Sequence, residues 1–272
     1  MIRTYRRLFS ASAAALALGL LAPFAQAASI SYGNFGPVAP GISFLNVTES
    51  SGTDPVPLYG APDPYSSVVA PGPVYEAGLD FDPTSFVASA AGGGADITDG
   101  QLNFTIVGQK DGLDVVAIKS IFLSEGGDYT LVGGGTAASQ VLAGAIMAVK
   151  VTEIDGSPVT PFSLPAANSS VGFNLAANGG IVQPWSLGVL VDLEAQLLSL
   201  NKSFIVGVTK AEVVINNSLI AISEPGSIAF IAKKDFVIGT APKPGILPEP
   251  GTLGMMGLAL CGIGAASRRK RS

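Results

Sequence analysis

Histidine is absent from all 272 residues, which removes the commonest general base and transition-metal ligand from any chemistry this chain performs. Cysteine is nearly absent too. The single Cys261 lies in an apolar run near the C-terminus, so the body of the chain holds no disulfide and no thiolate nucleophile. Charged residues make up 13% of the chain, about half of the roughly 25% usual in a globular protein, and there is one tryptophan. Arginine is confined to the ends, at Arg3, Arg6 and Arg7 and at Arg268, Arg269 and Arg271. Between those clusters eight lysines face all twenty acidic residues, a balance of −12. A surface of that sign repels a phosphate backbone, so nucleic acid is excluded as a partner.

What is abundant is glycine and proline, 34 and 19 residues, set among apolar side chains. A turn-rich chain short of helix-forming Lys, Glu and Arg favours many short strands joined by tight loops. Period-two alternation supports this. In "QLNFTIVG" Leu102, Phe104 and Ile106 share one face and Asn103 and Thr105 the other. In "AIMAVKVTEIDG" Met147, Val149 and Val151 alternate with Lys150 and Thr152 before Asp155-Gly156 turns the chain. "KAEVVINNSLIAIS" reads as strand, Asn216-Asn217 hairpin and strand, and a last strand runs from Ile228 to Ile238 through Lys233-Lys234. Further strands are expected at 42–47, 86–89, 115–123, 129–132 and 171–175, nine or ten in all, and "VDLEAQLLSL" is the best helix candidate. The expected fold is mainly β, an antiparallel two-sheet β-sandwich of which a jelly roll is one form, followed by a single C-terminal transmembrane helix. The six prolines between Asp54 and Tyr75 read as a rigid loop packed by Tyr59, Tyr65 and Tyr75.

Both ends read as addresses rather than fold. "MIRTYRRLFSASAAALALGLLAPFAQAAS" has a basic start, an apolar stretch from Leu8 to about Phe24 and the small-residue site Ala25-Gln26-Ala27, the three parts of a secretory signal cleaved after Ala27. At the other end sixteen uncharged residues from Gly251 to Ala266 would cover ~24 Å as a helix, just short of a ~30 Å hydrocarbon core. Arg268, Arg269, Lys270 and Arg271 follow and would stay inside while the body is translocated. Pro242, Pro244, Pro248 and Pro250 lead into this span and suggest an extended stalk. An ordinary single-pass anchor behind a Pro-rich linker is the alternative reading of the same residues.

Pro248-Glu249-Pro250, a Gly/Leu/Ala-rich span and the terminal basic cluster stand in the order of the PEP-CTERM sorting signal, which the last 25 or so residues resemble. The resemblance implies recognition, and cleavage near the motif, by the membrane enzyme exosortase, and association with exopolysaccharide. Gly251 stands where many members have Ser or Thr. The expected organisation is a signal peptide over 1–27, a β-sandwich body over 28–239, a Pro-rich stalk over 240–247 and the sorting segment over 248–272 with its helix at about 251–267. Export, at least transient membrane anchoring and a final place at the cell surface or in the matrix follow, with signal peptidase and exosortase as processing partners.

Candidate chemistry in the body is sparse. Asp80, Asp82, Asp96 and Asp99 have oxygen spacing suited to calcium, though Asp-Pro and Asp-Gly also form turns. "VGGGTAAS" lacks the lysine that completes a phosphate loop, and Ser199 with Lys202 matches an S-x-x-K count without its companion motifs. Glu125, Glu153, Asp192 and Glu194 are the nameable carboxylates for glycoside hydrolysis, and Trp185 with six tyrosines could offer a sugar-binding face. The sequence supports a non-enzymatic, exported envelope or matrix protein with no cofactor and no metal. The alternatives are a carbohydrate-binding module or a polysaccharide-acting enzyme.

Overall fold

The computed structural model of the chain describes residues 29–69 and 74–247. The signal site at Ala25 and Ala27 lies outside them, as do Pro248, Glu249, Pro250, the apolar span and the basic cluster Arg268, Arg269, Lys270 and Arg271. Among the described residues no helix is long and apolar enough to cross a membrane.

Two antiparallel sheets face each other as a sandwich. The first runs in the order β1 (Ser29–Val38), β2 (Ile42–Ser50), β6 (Ala95–Gly108), β13 (Val208–Ile222), β9 (Gln140–Ile154) and β10 (Ser157–Ser163), with β11 (Ala167–Asn174) also on β9. The second runs β12 (Gly180–Asp192), β8 (Asp114–Gly133), β14 (Ser227–Ile246), β4 (Val74–Phe81) and β3 (Asp63–Val69). In that sheet β5 (Val87–Ala91) also pairs with β14, and β7 (Lys110–Asp111) with β8. Two short helices, α1 (Leu175–Asn178) and α2 (Leu193–Ser199), interrupt the strands. The α2 helix occupies the expected stretch, and Asp192 caps it by accepting the Ala195 N–H.

Alternation decides which face enters the core. Leu102, Phe104 and Ile106 of β6, Val213 and Ile215 of β13, and Met147, Val149 and Val151 of β9 are all buried against Leu123, Leu131, Ile231 and Ile238 of the opposite sheet. The expected Asp155-Gly156 turn is present, with both residues at positive φ, 53° and 65°, which suits a tight hairpin.

Four expectations are corrected. The stretch from Asp54 to Tyr75 is a loop only ahead of β3, because Asp63–Val69 and Val74–Phe81 pair as strands β3 and β4. Asn216 and Asn217 do not turn the chain: β13 passes straight through them, paired with β6 and β9 on its two sides. Asn217 points inward and is satisfied there by side-chain partners, so a residue type favoured in turns is held in a central strand. Strands expected at 115–123 and 129–132 are one strand, β8, because Gly126 and Gly127 between them stay paired rather than turning. The body does not stop at residue 239 ahead of a free stalk, since β14 continues to Ile246 alongside β8.

The prolines tolerate that pairing for a geometric reason. Leu247 donates its N–H to the Leu113 carbonyl, so at period two Lys243 and Gly245 face β8 while Pro242 and Pro244 face the other way. On that other side β4 pairs only as far as Thr240. The two missing N–H groups therefore fall on an open edge, where proline costs no ladder bond.

Gly78 and Gly239 face each other across β4 and β14, and aromatic rings lie over both. A Cβ on Gly239 would come within 2.0 Å of the Phe122 ring, and one on Gly78 within 2.5 Å of the Tyr65 ring. Gly239→Ala is expected to lower stability by ~1–3 kcal/mol through overpacking, whereas Gly134→Ala, with open space around its Cβ, should stay within about 0.5 kcal/mol of the parent. Urea titration of both variants checks this, and equal losses would contradict the packing described.

Candidate functional site: a lysine enclosed between the sheets

The polar centre of the sandwich depends on an irregularity in β14. Opposite β8, Lys233 pairs with Gly127 and Asp235 with Gly126, which leaves Lys234 as the extra residue of a β-bulge. The bulge shifts the inward parity. Ala229, Ile231 and Lys233 face the core before it, Phe236 and Ile238 after it, and Lys234 and Asp235 are left outside. The edge partner of β14 changes at the same place, from β5, which ends its pairing at Ala232, to β4, which begins at Phe236. Gly127 makes room for this, since a Cβ there would lie 2.0 Å from the Ala232 carbonyl oxygen.

Lys233 is 2% exposed and forms an ion-pair contact with Glu125 Oε2, itself 2% exposed, on β8. Its Nζ lies 4.5 Å from the centroid of Phe86, 4.8 Å from Phe236 and 5.7 Å from Tyr59. Phe81 closes the shell by packing edge-on against Phe236. From the opposite sheet Asn217 donates Nδ2 to Glu125 Oε1 at 3.4 Å. The Tyr59 hydroxyl donates towards Asn217 Oδ1 at 2.9 Å and lies 3.0 Å from the Gly100 carbonyl. Small neighbours open the space: Gly100 and Ala145 flank Asn217 in its sheet, and a Cβ on Gly100 would stand 2.7 Å from the Phe86 ring.

Tyr59 reaches this centre because the Pro-rich loop is tied down. Glu49, wholly buried on β2, accepts the backbone N–H groups of Leu58 and Tyr59 and the Tyr32 hydroxyl, the last at 2.5 Å. Among the described residues no buried side-chain nitrogen or oxygen is left without a partner.

Proximity and protonation pull in different directions here. Burial raises the Glu125 pKa and lowers that of Lys233, and in each the attraction of the partner opposes the shift without cancelling it. Desolvation thus moves both groups towards their neutral forms. The Tyr59 phenol is driven well above its usual 10.0, first by burial and then by the charges of Glu125, Glu49 and Asp99.

The other sequence candidates are dispersed. Glu153 pairs with Lys210 at 3.5 Å, Glu194 with Lys243 at 2.5 Å, and Asp192 caps α2, so the four carboxylates considered for hydrolysis each serve a different partner. Trp185 is 5% exposed and donates Nε1–H to the Ala232 carbonyl, which leaves its ring no open face for a sugar. Asp99 accepts the Gly52 and Thr53 N–H groups and the Ser51 and Thr53 hydroxyls, and Asp96 accepts the Ser89 N–H. Asp80 has a raised pKa, mainly from desolvation and then from Asp82, Asp235 and Asp63. Among the described residues no group of three or more acidic or cysteine side chains is arranged to hold a metal ion. The Thr136 N–H and Ser139 hydroxyl beside the glycine run are engaged by Glu224, and Ser199 donates to the Gln196 carbonyl while Lys202 sits over Phe162.

Of the central cluster, only Glu125 was nameable from sequence as a candidate, and in another role. Lys233 had one signal, a charged residue interrupting an apolar strand. Asn217 and Tyr59 carried the signatures of a turn and a loop.

No protein-family model matches the chain, and no curated protein matches it. Among solved structures, the enzymatically active domain of tailspike protein 4 from bacteriophage CBA120 aligns at 14% identity and a TM-score of 0.16, over 70% of this chain and 19% of that one. A family 11 carbohydrate-binding module from Clostridium thermocellum aligns at 14% identity and 0.18, over 64% and 98%. Endoglucanase 3 of Trichoderma harzianum, from family GH12, aligns at 10% and 0.15, over 82% and 98%. This chain spans about a fifth of the tailspike domain. At such low scores the likeness does not reach a common fold, and nothing about this chain is drawn from it.

Tyr59→Phe keeps the ring but removes the donor to Asn217 and Gly100, and is expected to cost ~1–3 kcal/mol at neutral pH. Because the folded-state pKa of Tyr59 is raised, its contribution is intact below the unfolded value of 10.0 and is lost as pH rises through and beyond it. Denaturant titrations at about pH 7 and about pH 11 should therefore show a smaller alkaline loss in the variant than in the parent. An identical loss in both would remove Tyr59 as its source.

Proposed function

We propose that this chain is an exported, non-enzymatic envelope or extracellular-matrix protein, a β-sandwich delivered by the general secretory route and sorted through a PEP-CTERM signal. The observation that carries the reading is the pairing of two opposed address patterns around one folded body. Arg3, Arg6 and Arg7 with the Ala25-Gln26-Ala27 site precede it, and Pro248-Glu249-Pro250, an apolar span and Arg268 to Arg271 follow it. Signal peptidase removes the leader, the C-terminal span holds the product at the membrane, and exosortase cuts near the motif to release it to the surface or to the exopolysaccharide matrix.

The fold supports this division of labour. Leu247, bonded to Leu113, is the last described residue, and the motif begins at the next position. The motif therefore follows in sequence directly after the end of the β8–β14 pairing. The absence of histidine and the separate ion pairs of Glu153 and Glu194 favour a structural over a catalytic role.

Expression in hosts with and without exosortase, followed by mass measurement of the C-terminal peptide, tests the reading. A shortened C-terminus only where exosortase is present is expected. A full-length tail in both hosts would discard the sorting step.

A further inference from the structure

We propose that Lys233 and Asn217 become joined by an intramolecular isopeptide bond, Lys233 Nζ to Asn217 Cγ, formed by the protein itself with Glu125 as proton carrier and Tyr59 as oxyanion donor. The proposal stands on the internal cluster alone and is independent of how the chain is sorted.

An amine displaces ammonia from a carboxamide only under several conditions, each of which has a named residue here. The nucleophile must reach the carbonyl carbon with its lone pair free. Lys233 and Asn217 come from opposite sheets, and their nitrogens meet the two oxygens of one carboxylate, Nζ at Oε2 and Nδ2 at Oε1 of Glu125. Desolvation in the aromatic shell favours the uncharged amine beside the protonated carboxyl. The carbonyl must be polarised where negative charge develops, and the Tyr59 hydroxyl donates to Oδ1 at 2.9 Å. Water must be excluded, and Lys233, Glu125 and Asn217 are each 3% exposed or less, with Tyr59 at 0%.

The step balances without any external reagent. Lys233 first passes its extra proton to Glu125. The Nζ lone pair then attacks Cγ, and the oxygen charge of the tetrahedral intermediate rests against Tyr59. Nζ loses one proton to Oε2, the Glu125 carboxyl gives one from Oε1 to Nδ2, the Cγ–Nδ2 bond breaks and ammonia leaves. Glu125, a carboxylate at the outset, ends protonated, holding one net proton that came from the Lys233 ammonium, and no group is oxidised or reduced. The sheet bulge has a purpose in this account: without the extra residue Lys234, Lys233 and Phe236 could not both face inward. The bond would tie β13 to β14, a middle strand of each sheet, in a body that has no cysteine for a disulfide.

The test uses the full-length chain, denatured after folding and digested with chymotrypsin, with the peptides read by tandem mass spectrometry. Cleavage after Phe204, Leu219, Phe230 and Phe236 separates residues 205–219, which hold Asn217, from residues 231–236, which hold Lys233. The expected product is these two peptides covalently joined, with a mass one ammonia below their sum and fragments placing the link at Asn217 and Lys233. Glu125→Gln should return both peptides unlinked at their sequence masses, in a protein whose circular dichroism still shows the sheet structure. Recovery of the two free peptides from the parent chain would overturn the proposal. So would an ammonia loss confined to the 205–219 peptide, which marks a succinimide. Linked peptides that persist in Glu125→Gln would overturn the role given to the carboxyl. The parent result decides the bond even if that variant does not fold.

Discussion

The contact between Lys233 and Glu125 is the constraint around which the interior of this sandwich is arranged. An amine and a carboxyl withdrawn from water to 2% exposure are tolerated only when every remaining donor and acceptor is met. Loss of one partner from such a pair leaves the other uncompensated, a cost of about 3–5 kcal/mol. The surroundings bear the marks of that requirement. Glycines at 100 and 127 and Ala145 concede volume, three aromatic rings surround the amine, and Asn217 and Tyr59 complete the hydrogen bonding. Glu49 in turn holds the loop that delivers Tyr59.

The consequences extend beyond the cluster. A bulge that turns Lys233 inward also moves Lys234 and Asp235 to the surface and coincides with the exchange of β5 for β4 along β14. Past Thr240 that edge lies open, and the prolines at 242 and 244 occupy it without breaking the ladder to β8. The same strand therefore supplies the buried amine at its middle and ends next to the Pro-Glu-Pro. Proline at an open edge also discourages strand addition by another chain, a safeguard for a protein rich in β-structure.

The proposed structural role and the proposed internal crosslink fit one another physically. Proteins that work outside the cell commonly brace their folds with disulfides, and this body has no cysteine with which to do so. A bond between middle strands of facing sheets would give a comparable brace that reducing agents do not cleave. It needs the dry, aromatic, fully hydrogen-bonded centre found here, and the chemistry consumes one lysine and one asparagine once. That separates it from turnover of a substrate.

Period-two alternation was enough to place β6 and β9 and their inward faces, because each buried row is written in alternate residues of one local stretch, whereas β8 and β13 each read as two strands. The Asp155-Gly156 turn and the α2 helix were equally local and equally legible. The absence of histidine and the confinement of cysteine to position 261 excluded whole classes of chemistry by composition alone. Asn216-Asn217 misled because the preference of asparagine for turns is a local average, overridden where Tyr59 and Glu125 satisfy the side chain in a central strand. Pro242 and Pro244 misled for a related reason: a missing N–H matters only if a neighbour lies on that side, and strand order alone settles this. The polar centre was out of reach because residues 49, 59, 125, 217 and 233 come together only by strand pairing and sheet stacking. A one-residue bulge, invisible to alternation, decides that Lys233 rather than Lys234 faces inward.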